Sequence, residues 1–166
     1  MDSRGGVLFK QRRVGKEDED FFILKYRTMA VNSDKNGLLT VGARDRRITR
    51  VGYFLRKYKL DELPQLFNVL SGDMSFVGPR PEVRKYVDMY NAEQRKVLTV
   101  KPGITDYASI EYSNENELLA KSRNPEQTYI DEIMPHKLKL NLKYIEEKGF
   151  FTDVKIIFRT ISKVFG

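Results

Sequence analysis

Residues 60–81 read LDELPQLFNVLSGDMSFVGPRP and combine a short helix with a rigid turn. Two acidic residues and a proline open the helix, its apolar side chains recur at helical spacing, and Gly72 is placed to end it. The turn holds Arg80 between two prolines, which restrict the backbone on both sides of it. Because the second proline suits the first position of a helix, we predict another helix over about 81–97.

Before this stretch, the sequence predicts a β-hairpin and a basic helix. Residues 7–14 and 21–28 are rich in β-branched and aromatic side chains, and the charged residues 15–20 between them predict the turn. Residues 31–43 are polar and predict a loop. Apolar side chains at helical spacing, with basic residues between them, then predict a basic amphipathic helix over 45–58.

After residue 97, helices dominate the prediction. Residues 104–111 suit a short strand or an ordered loop. Asn124 and Pro125 are typical of a helix cap followed by a first-turn proline, and the helix that they begin is predicted to end at Pro135. The apolar residues of 138–145 alternate as in a strand but also fit helical spacing, and we favour a further helix because Lys and Glu stand between them.

The last segment predicts an amphipathic helix over 152–165. Thr152 is placed to cap it, and Phe151 is placed to pack on Ile156. The apolar side of this helix suits a protein core, whereas its basic side also suits a helix lying on a membrane. Together the patterns predict an α+β fold, with one mostly helical domain over 1–166, a small N-terminal β-hairpin and a C-terminal amphipathic helix.

Composition restricts the chemistry. The chain has 166 residues, no cysteine and a single histidine, His136. These counts exclude a disulfide scaffold, a Cys-ligated metal site, a cysteine nucleophile and a multi-histidine metal centre. Residues 1–60 hold 15 basic and 7 acidic residues, whereas residues 61–166 hold 15 and 16. This asymmetry indicates an anionic partner, which is a nucleic acid, a phosphate ligand or an acidic membrane face.

The sequence contains no typical membrane-spanning or secretory segment. No window reaches the about 18 consecutive apolar residues of a membrane span. The first residues also lack the apolar region of a signal peptide. Taken alone, these patterns predict a soluble, cytoplasmic chain.

Asp61 and Glu62 are the first candidates for chemistry. Unpaired amide groups and the helix dipole at a helix N-terminus stabilise negative charge, so we expect Asp61 to be an anion at neutral pH. An anionic carboxylate can ligate Mg²⁺ or attack an electrophilic phosphorus. From this dipeptide alone, a plain helix cap is the more common explanation.

Several cations are candidates for an anion site. Arg80 and the amides of the helix predicted after it are expected to converge on one phosphate. Arg56 shortly precedes Asp61 and can reach the same pocket. Lys25 and Arg27 share one face of the second strand because of the two-residue periodicity of strands. Solvated or edge-strand cations are the alternative explanation.

Four motifs, in order, resemble the bacterial sugar transferase family, the monotopic polyprenyl-phosphate phosphoglycosyl transferases that begin glycan assembly in bacteria. The motifs are residues 9–15 (FKQRRVG), 25–29 (KYRTM), 60–81 and 101–105 (KPGIT). The resemblance covers nearly the whole chain.

The resemblance implies a reaction and roles for the candidate residues. Phospho-sugar would pass from a UDP-sugar to polyprenyl phosphate, such as undecaprenyl phosphate, with Mg²⁺ as cofactor and UMP as product. Asp61 would be the nucleophile that forms a covalent phospho-sugar intermediate, Glu62 would assist in proton or metal handling, and both would hold Mg²⁺. The resemblance assigns phosphate binding to Arg80, Arg56 and Lys25, and we expect Pro81 and Arg27 to bind substrate phosphate as well.

The chain also departs from the family pattern. Members normally carry a hydrophobic segment with a Ser-Pro pair that enters the membrane and returns, and here the chain begins after it. We therefore expect a catalytic domain lacking the membrane segment, soluble by itself and weakly active or inactive on polyprenyl phosphate. The full-length form would lie at the cytoplasmic face of the bacterial inner membrane. Many members have an Arg where this chain has Ser113 and Asn114; if that Arg holds the nucleotide, Arg123 is a candidate substitute.

Two other hypotheses stay open on the residues alone. A basic nucleic-acid-binding module would use residues 44–59 and the strand cations. A non-catalytic membrane-surface scaffold would use the helix over 152–165. The resemblance favours the enzyme, with a UDP-sugar, polyprenyl phosphate and the membrane surface as partners and no nucleic acid.

Overall fold

The computed structural model describes residues 5–31, 33, 39–42 and 45–165. The predicted N-terminal hairpin is confirmed: β1 (Leu8–Val14) pairs antiparallel with β2 (Asp20–Tyr26). A 3₁₀ turn over Lys16–Asp18 joins the two strands. Most of the polar loop predicted over 31–43 lies outside the described residues.

A second, very small sheet lies at the centre of the chain. β3 (Ser75–Val77) and β4 (Gly103–Thr105) are parallel. Their backbones approach so closely that a Cβ atom on Gly103 would lie 2.1 Å from the backbone nitrogen of Gly78. Only the first residues of the segment predicted over 104–111 are a strand, because the chain then turns into a helix capped by Asp106.

Helices make up most of the rest of the structure. They are α1 (Arg50–Lys57), α2 (Gln65–Leu70), α3 (Arg84–Val87), α4 (Tyr107–Glu111), α5 (Glu115–Ala120), α6 (Pro125–Thr128), α7 (Met134–Glu147) and α8 (Phe150–Phe165). Further 3₁₀ turns cover Leu60–Glu62 and Gln94–Thr99, and a π-turn covers Tyr129–Ile133. The predicted α+β fold is confirmed as a mostly helical single domain. No helix among the described residues is both long and apolar enough to span a membrane.

Two clusters of buried side chains form the core. The larger cluster joins α3, α5 and α7, and includes the rings of Tyr86 and Tyr129, whose centroids are 4.9 Å apart. The smaller cluster packs Ile156 of α8 against Val77 and Tyr144. Ile156 is fully buried, so α8 has a core-facing side, as the sequence predicted.

A buried polar network connects the hairpin to the helices. The Arg13 guanidinium donates hydrogen bonds to Glu82 at 3.0 Å and to the Pro81 carbonyl at 3.1 Å. The other oxygen of the Glu82 carboxylate accepts a hydrogen bond from the Tyr129 hydroxyl, in the π-turn. The chain around Pro81 is therefore held by both halves of the fold.

The helix predicted over 81–97 is wrong. α3 ends at Val87, and the chain resumes only as the 3₁₀ turn Gln94–Thr99. Between them, Asn91 and Gln94 exchange side-chain-to-backbone hydrogen bonds of 2.9 and 3.0 Å. This reciprocal pair is typical of a capping box, so it begins the second helical turn after α3 has already ended.

The sequence predicted that Pro135 ends a helix. This prediction is wrong, because Pro135 lies in the first turn of α7. Asn124 does cap α6, as expected, by accepting a hydrogen bond from the Gln127 amide. α6 and α7 are joined by the π-turn, whose wider spacing of hydrogen bonds accommodates a proline that follows it. The helix predicted over 138–145 is confirmed within α7.

Two other helices begin at residues different from those predicted. α8 begins at Phe150, and the hydroxyl of Thr152 donates to the Glu147 carbonyl instead of capping the helix. Phe151 is 86% exposed, so the predicted packing on Ile156 is not formed. α1 is shorter than the predicted 45–58 because Thr49 caps it by accepting a hydrogen bond from the Gly52 amide at 2.9 Å.

Candidate active site

Asp61 lies in the 3₁₀ turn Leu60–Glu62 and is almost completely buried. It is 7% exposed, and its Oδ1 atom has no hydrogen-bond partner among the described residues. Burial and Glu62 raise the pKa of Asp61, and nearby Lys25 and Arg56 oppose that rise. This shift is opposite to the one expected from a helix N-terminus, because a three-residue turn supplies little dipole to offset burial.

Glu62 is engaged by two cations. Arg80 donates to both carboxylate oxygens, with Nη1 at 3.0 Å from Oε2 and Nη2 in contact with Oε1. Lys25 Nζ lies 3.6 Å from the same Oε1. Burial would raise the pKa of Glu62, but Arg80 and Lys25 outweigh it and hold the pKa well below its usual range. Glu62 is therefore an anion whose charge is matched inside the protein.

Arg80 is fixed by the turn that contains it. Its backbone N–H donates to the buried Asp106 carboxylate at 3.2 Å, and its guanidinium also reaches the carbonyl of Ile104 at 3.3 Å. α3 begins only at Arg84, so the chain after Arg80 supplies no helix N-terminus directly next to it. The observed partners of the guanidinium are Glu62 and Ile104 rather than helix amides.

The remaining predicted cations lie on neighbouring elements. Burial lowers the pKa of Lys25 to about 8, although Glu62 opposes that change. The Arg56 guanidinium donates to the hydroxyls of Thr28 and Thr40 at 2.9 and 3.2 Å. Arg27 donates to the carbonyl of Gly6 at 2.8 Å.

A pocket of about 180 Å³ opens on Asp61. The cationic residues that line it are Arg13, Lys25, Arg27, Arg47 and Arg56. Asp61 is the acidic residue among the described side chains of this lining. We call this space the cationic pocket. It brings together the predicted Lys25, Arg27 and Arg56, whereas Arg80 and Glu62 lie outside its lining.

Sequence reasoning missed two cations of this pocket. Arg13 shares a strand face with Lys25, because Phe9 pairs with Lys25 and every second residue of β1 follows on that face. Strand periodicity is therefore the signal that identifies Arg13. Arg47 is oriented by Asp45, with contacts of 3.0 and 2.6 Å, and no sequence pattern separates it from its neighbouring arginines.

A second pocket, of about 570 Å³, adjoins the Asp61–Glu62 dipeptide. Glu62 and Arg80 line it, together with many apolar residues, and we call it the amphiphilic pocket. Ser113 and Asn114 also line it. Arg123 does not appear in the described lining of either pocket, so nothing in the geometry supports it as a substitute cation.

The match to known proteins covers the whole chain. The sequence profile described as bacterial sugar transferase matches residues 1–166. This chain belongs to the bacterial sugar transferase family. The resemblance seen in the four motifs is thereby confirmed.

Relatives within the bacterial sugar transferase family match at similar identity. A UDP-N-acetylgalactosamine-undecaprenyl-phosphate N-acetylgalactosaminephosphotransferase of Aeromonas hydrophila is 38% identical over 167 residues, covering 99% of this chain and 36% of the relative. A UDP-glucose:undecaprenyl-phosphate glucose-1-phosphate transferase of Escherichia coli is 36% identical, covering 99% and 34%. An uncharacterized sugar transferase of Bacillus subtilis is 37% identical, covering 95% and 69%. The chain thus spans about a third of the length of the first two relatives.

The carboxylates of this family member fit a divalent cation unequally. Among the described residues, no three His, Cys, Asp or Glu side chains form a cluster that could hold a metal ion. Mg²⁺ is commonly bound by one or two carboxylates, waters and substrate phosphates, so a dense cluster is not required. Asp61 offers a buried oxygen without a partner and fits such a site. Glu62 fits it less well, because Arg80 already bonds both of its oxygens.

Proposed function

We propose that this chain is the catalytic domain of an enzyme that transfers phospho-sugar from a UDP-sugar to polyprenyl phosphate, through a covalent intermediate on Asp61. The observation that carries the proposal is that Asp61, which has a buried carboxylate oxygen without a partner among the described residues, lines a pocket with five cationic residues. The names of the relatives, which contain a UDP-sugar and undecaprenyl phosphate, support the choice of donor and acceptor.

The donor's diphosphate would lie in the cationic pocket. At about 180 Å³ this pocket is smaller than the 300–1,000 Å³ that is typical for a whole small-molecule ligand, so we assign to it the phosphates rather than the whole donor. Lys25, Arg27 and Arg56 would bind the phosphate oxygens and offset their charge. Arg80 and Pro81 are not part of this lining, since Arg80 lines the amphiphilic pocket with Glu62 and Pro81 lines neither pocket.

In the first step, an Asp61 carboxylate oxygen attacks the phosphorus that carries the sugar. The new bond is oxygen to phosphorus, and the bond that breaks joins this phosphorus to the bridging oxygen, which leaves with its electron pair as part of UMP. The absence of hydrogen-bond donors on Oδ1 among the described residues leaves its lone pairs free for attack. Lys25 and Arg56 oppose the effect of burial and favour the ionised, nucleophilic form.

In the second step, a phosphate oxygen of the acceptor attacks the same phosphorus. The bond to Asp61 breaks, its electron pair returns to the carboxylate, and the product is a polyprenyl-diphosphate-sugar. The two displacements balance without a net proton transfer to the enzyme. Mg²⁺, when bound, would neutralise phosphate charge, with Asp61 holding it together with substrate oxygens.

Glu62 would act by holding its partners in place. Its carboxylate fixes Arg80 through two hydrogen bonds and lies 3.6 Å from Lys25, which keeps two cations beside Asp61. This arrangement favours a positioning role over the proton or metal handling that the resemblance implies. Convergence of cations on a buried carboxylate also favours an enzyme over the nucleic-acid-binding module.

We propose that the membrane surface is a further partner of the protein. Several large apolar side chains are exposed: Phe67 and Leu70 on α2, and Phe150, Phe151 and Phe158 on α8. Exposed apolar side chains of this size are typical of binding surfaces, and α8 also carries basic residues. A location at the cytoplasmic face of the bacterial inner membrane would place these residues next to a polyprenyl acceptor.

The test is intact-protein mass spectrometry after mixing the chain with a panel of UDP-sugars and Mg²⁺. We expect a mass increase equal to one phospho-sugar, with release of UMP, and a peptide map that assigns it to Asp61. Asp61→Asn should remove the adduct, whereas Asp88→Asn, an exposed control, should retain it. Formation of the adduct by Asp61→Asn would contradict the proposal, as would its absence with every UDP-sugar.

A further inference from the structure

The segment from Asp61 to Leu70 buries polar side chains and exposes apolar ones. Gln65 is fully buried, and Asn68 and Asp61 are only 3% and 7% exposed. The exposed side chains of the segment are large and apolar, with 40–83% of each residue accessible: Leu63, Leu66, Phe67 and Leu70. This arrangement is the reverse of the usual one, in which a helix buries its apolar side. The buried polar side chains therefore need an explanation other than apolar packing.

Asn68 attaches this segment to β2. Its side-chain amide donates to the Phe22 carbonyl at 2.8 Å, and its side-chain oxygen accepts a hydrogen bond from the Leu24 amide at 3.0 Å. These two bonds explain the burial of Asn68, because they hold α2 against the hairpin.

The burial of Gln65 has no such explanation. Neither the nitrogen nor the oxygen of its side-chain amide has a hydrogen-bond partner among the described residues. Burying an amide without hydrogen bonds destabilises a fold, so unpaired groups of this kind are uncommon in native proteins. A methionine or leucine would fill the same space without that cost. The amide of Gln65 is therefore better explained by function than by folding.

Gln65 lies on the same side of the segment as Asp61. The two residues are four positions apart, and the chain between them keeps right-handed helical backbone angles. Asp61 lines the cationic pocket with Lys25 of β2, and Asn68 bonds backbone groups of that strand. Gln65 is buried between these two contacts, on the side of the segment that packs against β2.

Asp61 and Gln65 carry complementary unpaired groups. Oδ1 of Asp61 is a buried acceptor, Nε2 of Gln65 is a buried donor, and neither has a partner in the described part of the chain. The two atoms form no hydrogen bond with each other in this structure. Gln and Asp side chains four positions apart on a helix are within hydrogen-bonding reach, so a change of side-chain torsions is enough to join them.

We propose that Gln65 is a positioning residue for Asp61, whose side-chain amide donates a hydrogen bond to one carboxylate oxygen and thereby directs the other oxygen at the phosphorus of the donor. The assignment rests on the proposed function, because that function makes Asp61 the nucleophile. Rotation of the carboxylate exchanges its two oxygens, so either one can accept the bond while the other attacks. A carboxylate held in this way has fewer unproductive orientations, which accelerates the attack without changing how tightly the donor binds.

The test is the rate of phospho-sugar adduct formation, measured by rapid quenching and intact-protein mass spectrometry with Mg²⁺ and a UDP-sugar that reacts with wild type. Gln65→Met keeps the length of the side chain and removes its hydrogen-bonding groups. We expect the maximal rate to fall about tenfold, while the UDP-sugar concentration that gives half of this rate stays within about twofold of wild type. Gln127→Met, at an exposed position outside both pockets, is the matched control and should leave both quantities within about twofold.

Stability separates a positioning role from a role in folding. Since the Gln65 amide is unpaired in the resting protein, Gln65→Met should not lower the midpoint of urea unfolding. Asn68→Leu is the structural comparison, because it removes two hydrogen bonds to β2 and should lower the midpoint. A lowered midpoint for Gln65→Met, with a rate that falls only in proportion to the unfolded fraction, would overturn the proposal.

The outcome is separable from that of the proposed function. An adduct that forms on Asp61 equally fast in wild type and in Gln65→Met would refute the positioning role alone. A higher half-saturating UDP-sugar concentration with an unchanged maximal rate would also refute it, because it would assign Gln65 to donor binding. Absence of the adduct in wild type with every UDP-sugar would refute the covalent mechanism and, with it, the role of Gln65.

Discussion

Arg80 donates one hydrogen bond to each oxygen of the Glu62 carboxylate. The two residues are 18 positions apart in sequence, and their pairing joins the turn that holds Asp61 to the loop between β3 and α3. Lys25 Nζ also lies near this carboxylate, so Glu62 holds two cations, Lys25 and Arg80, that come from separate elements.

Glu62→Gln removes the charge with little change in shape. We expect the pKa of Lys25, about 8 in the wild type, to fall further, because Glu62 is the nearby anion that raises it most. The free energy of unfolding should decrease by about 1–3 kcal/mol, since a partly buried arginine loses its charged partner. NMR titration of the lysine side chains and urea unfolding measure the two effects. The exposed Glu146→Gln should change neither, and an unchanged pKa of Lys25 would contradict the expectation.

Asp61→Asn is expected to abolish phospho-sugar transfer and yet to stabilise the fold at neutral pH. Since the pKa of Asp61 is raised by folding, the folded protein binds a proton more tightly than the unfolded chain, and its stability falls as the pH rises through that interval. Asparagine carries no ionisable group, so it avoids the cost of burying a charged carboxylate. Urea unfolding at about pH 4 and pH 7 should show a gain of about 1 kcal/mol that is larger at pH 7. A variant that is less stable than wild type at pH 7 would count against this interpretation.

Lys25 should set an upper pH limit for donor binding. Because its pKa is about 8, its charge is lost as the pH rises above that value, and the KM for the UDP-sugar should increase there. Lys25→Arg keeps a positive charge at higher pH and should move this rise to more alkaline values. Initial rates measured across the range for both proteins give the comparison. Identical profiles for the two would exclude Lys25 as the group that titrates.

Gly103→Ala should disrupt the contact between β3 and β4. The added methyl group would lie 2.1 Å from the backbone nitrogen of Gly78, which leaves it no room without separating the strands. We expect a loss of about 3 kcal/mol or more in the free energy of unfolding. Gly149→Ala is the matched control, because no described atom lies within 4 Å of the new methyl group, and it should change stability by less than about 0.5 kcal/mol.

Local sequence patterns predicted the hairpin, the capped start at Asn124 and the helix within α7, because each depends on neighbouring residues. They failed where side chains at longer range or local hydrogen bonds decide the structure. The reciprocal bonds of Asn91 and Gln94 begin a separate 3₁₀ turn within a stretch that periodicity alone would make one helix. The extension of the helix through Pro135 depends on a π-turn that no propensity predicts.

The sequence likewise predicted one part of the candidate site and missed another. Local spacing and strand periodicity singled out Asp61, Lys25, Arg27 and Arg56, and the fold gathers them around one pocket. The direction of the Asp61 pKa shift required the burial of the turn, which a sequence does not contain. The separation of Asp61 and Glu62 into different pockets likewise depends on how the turn packs against β2 and α1.

The hydrogen bonds of Glu82 connect the helical half of the fold to the N-terminal hairpin. Glu82 directly follows the Arg80–Pro81 turn. Its carboxylate accepts a hydrogen bond from Arg13 of the hairpin and another from Tyr129 of the π-turn. Arg13 also lines the cationic pocket. Two hydrogen bonds, from Tyr129 to Glu82 and from Arg13 to Glu82, therefore connect the helical half to a cation of this pocket, so a change in the helical packing can shift the position of Arg13.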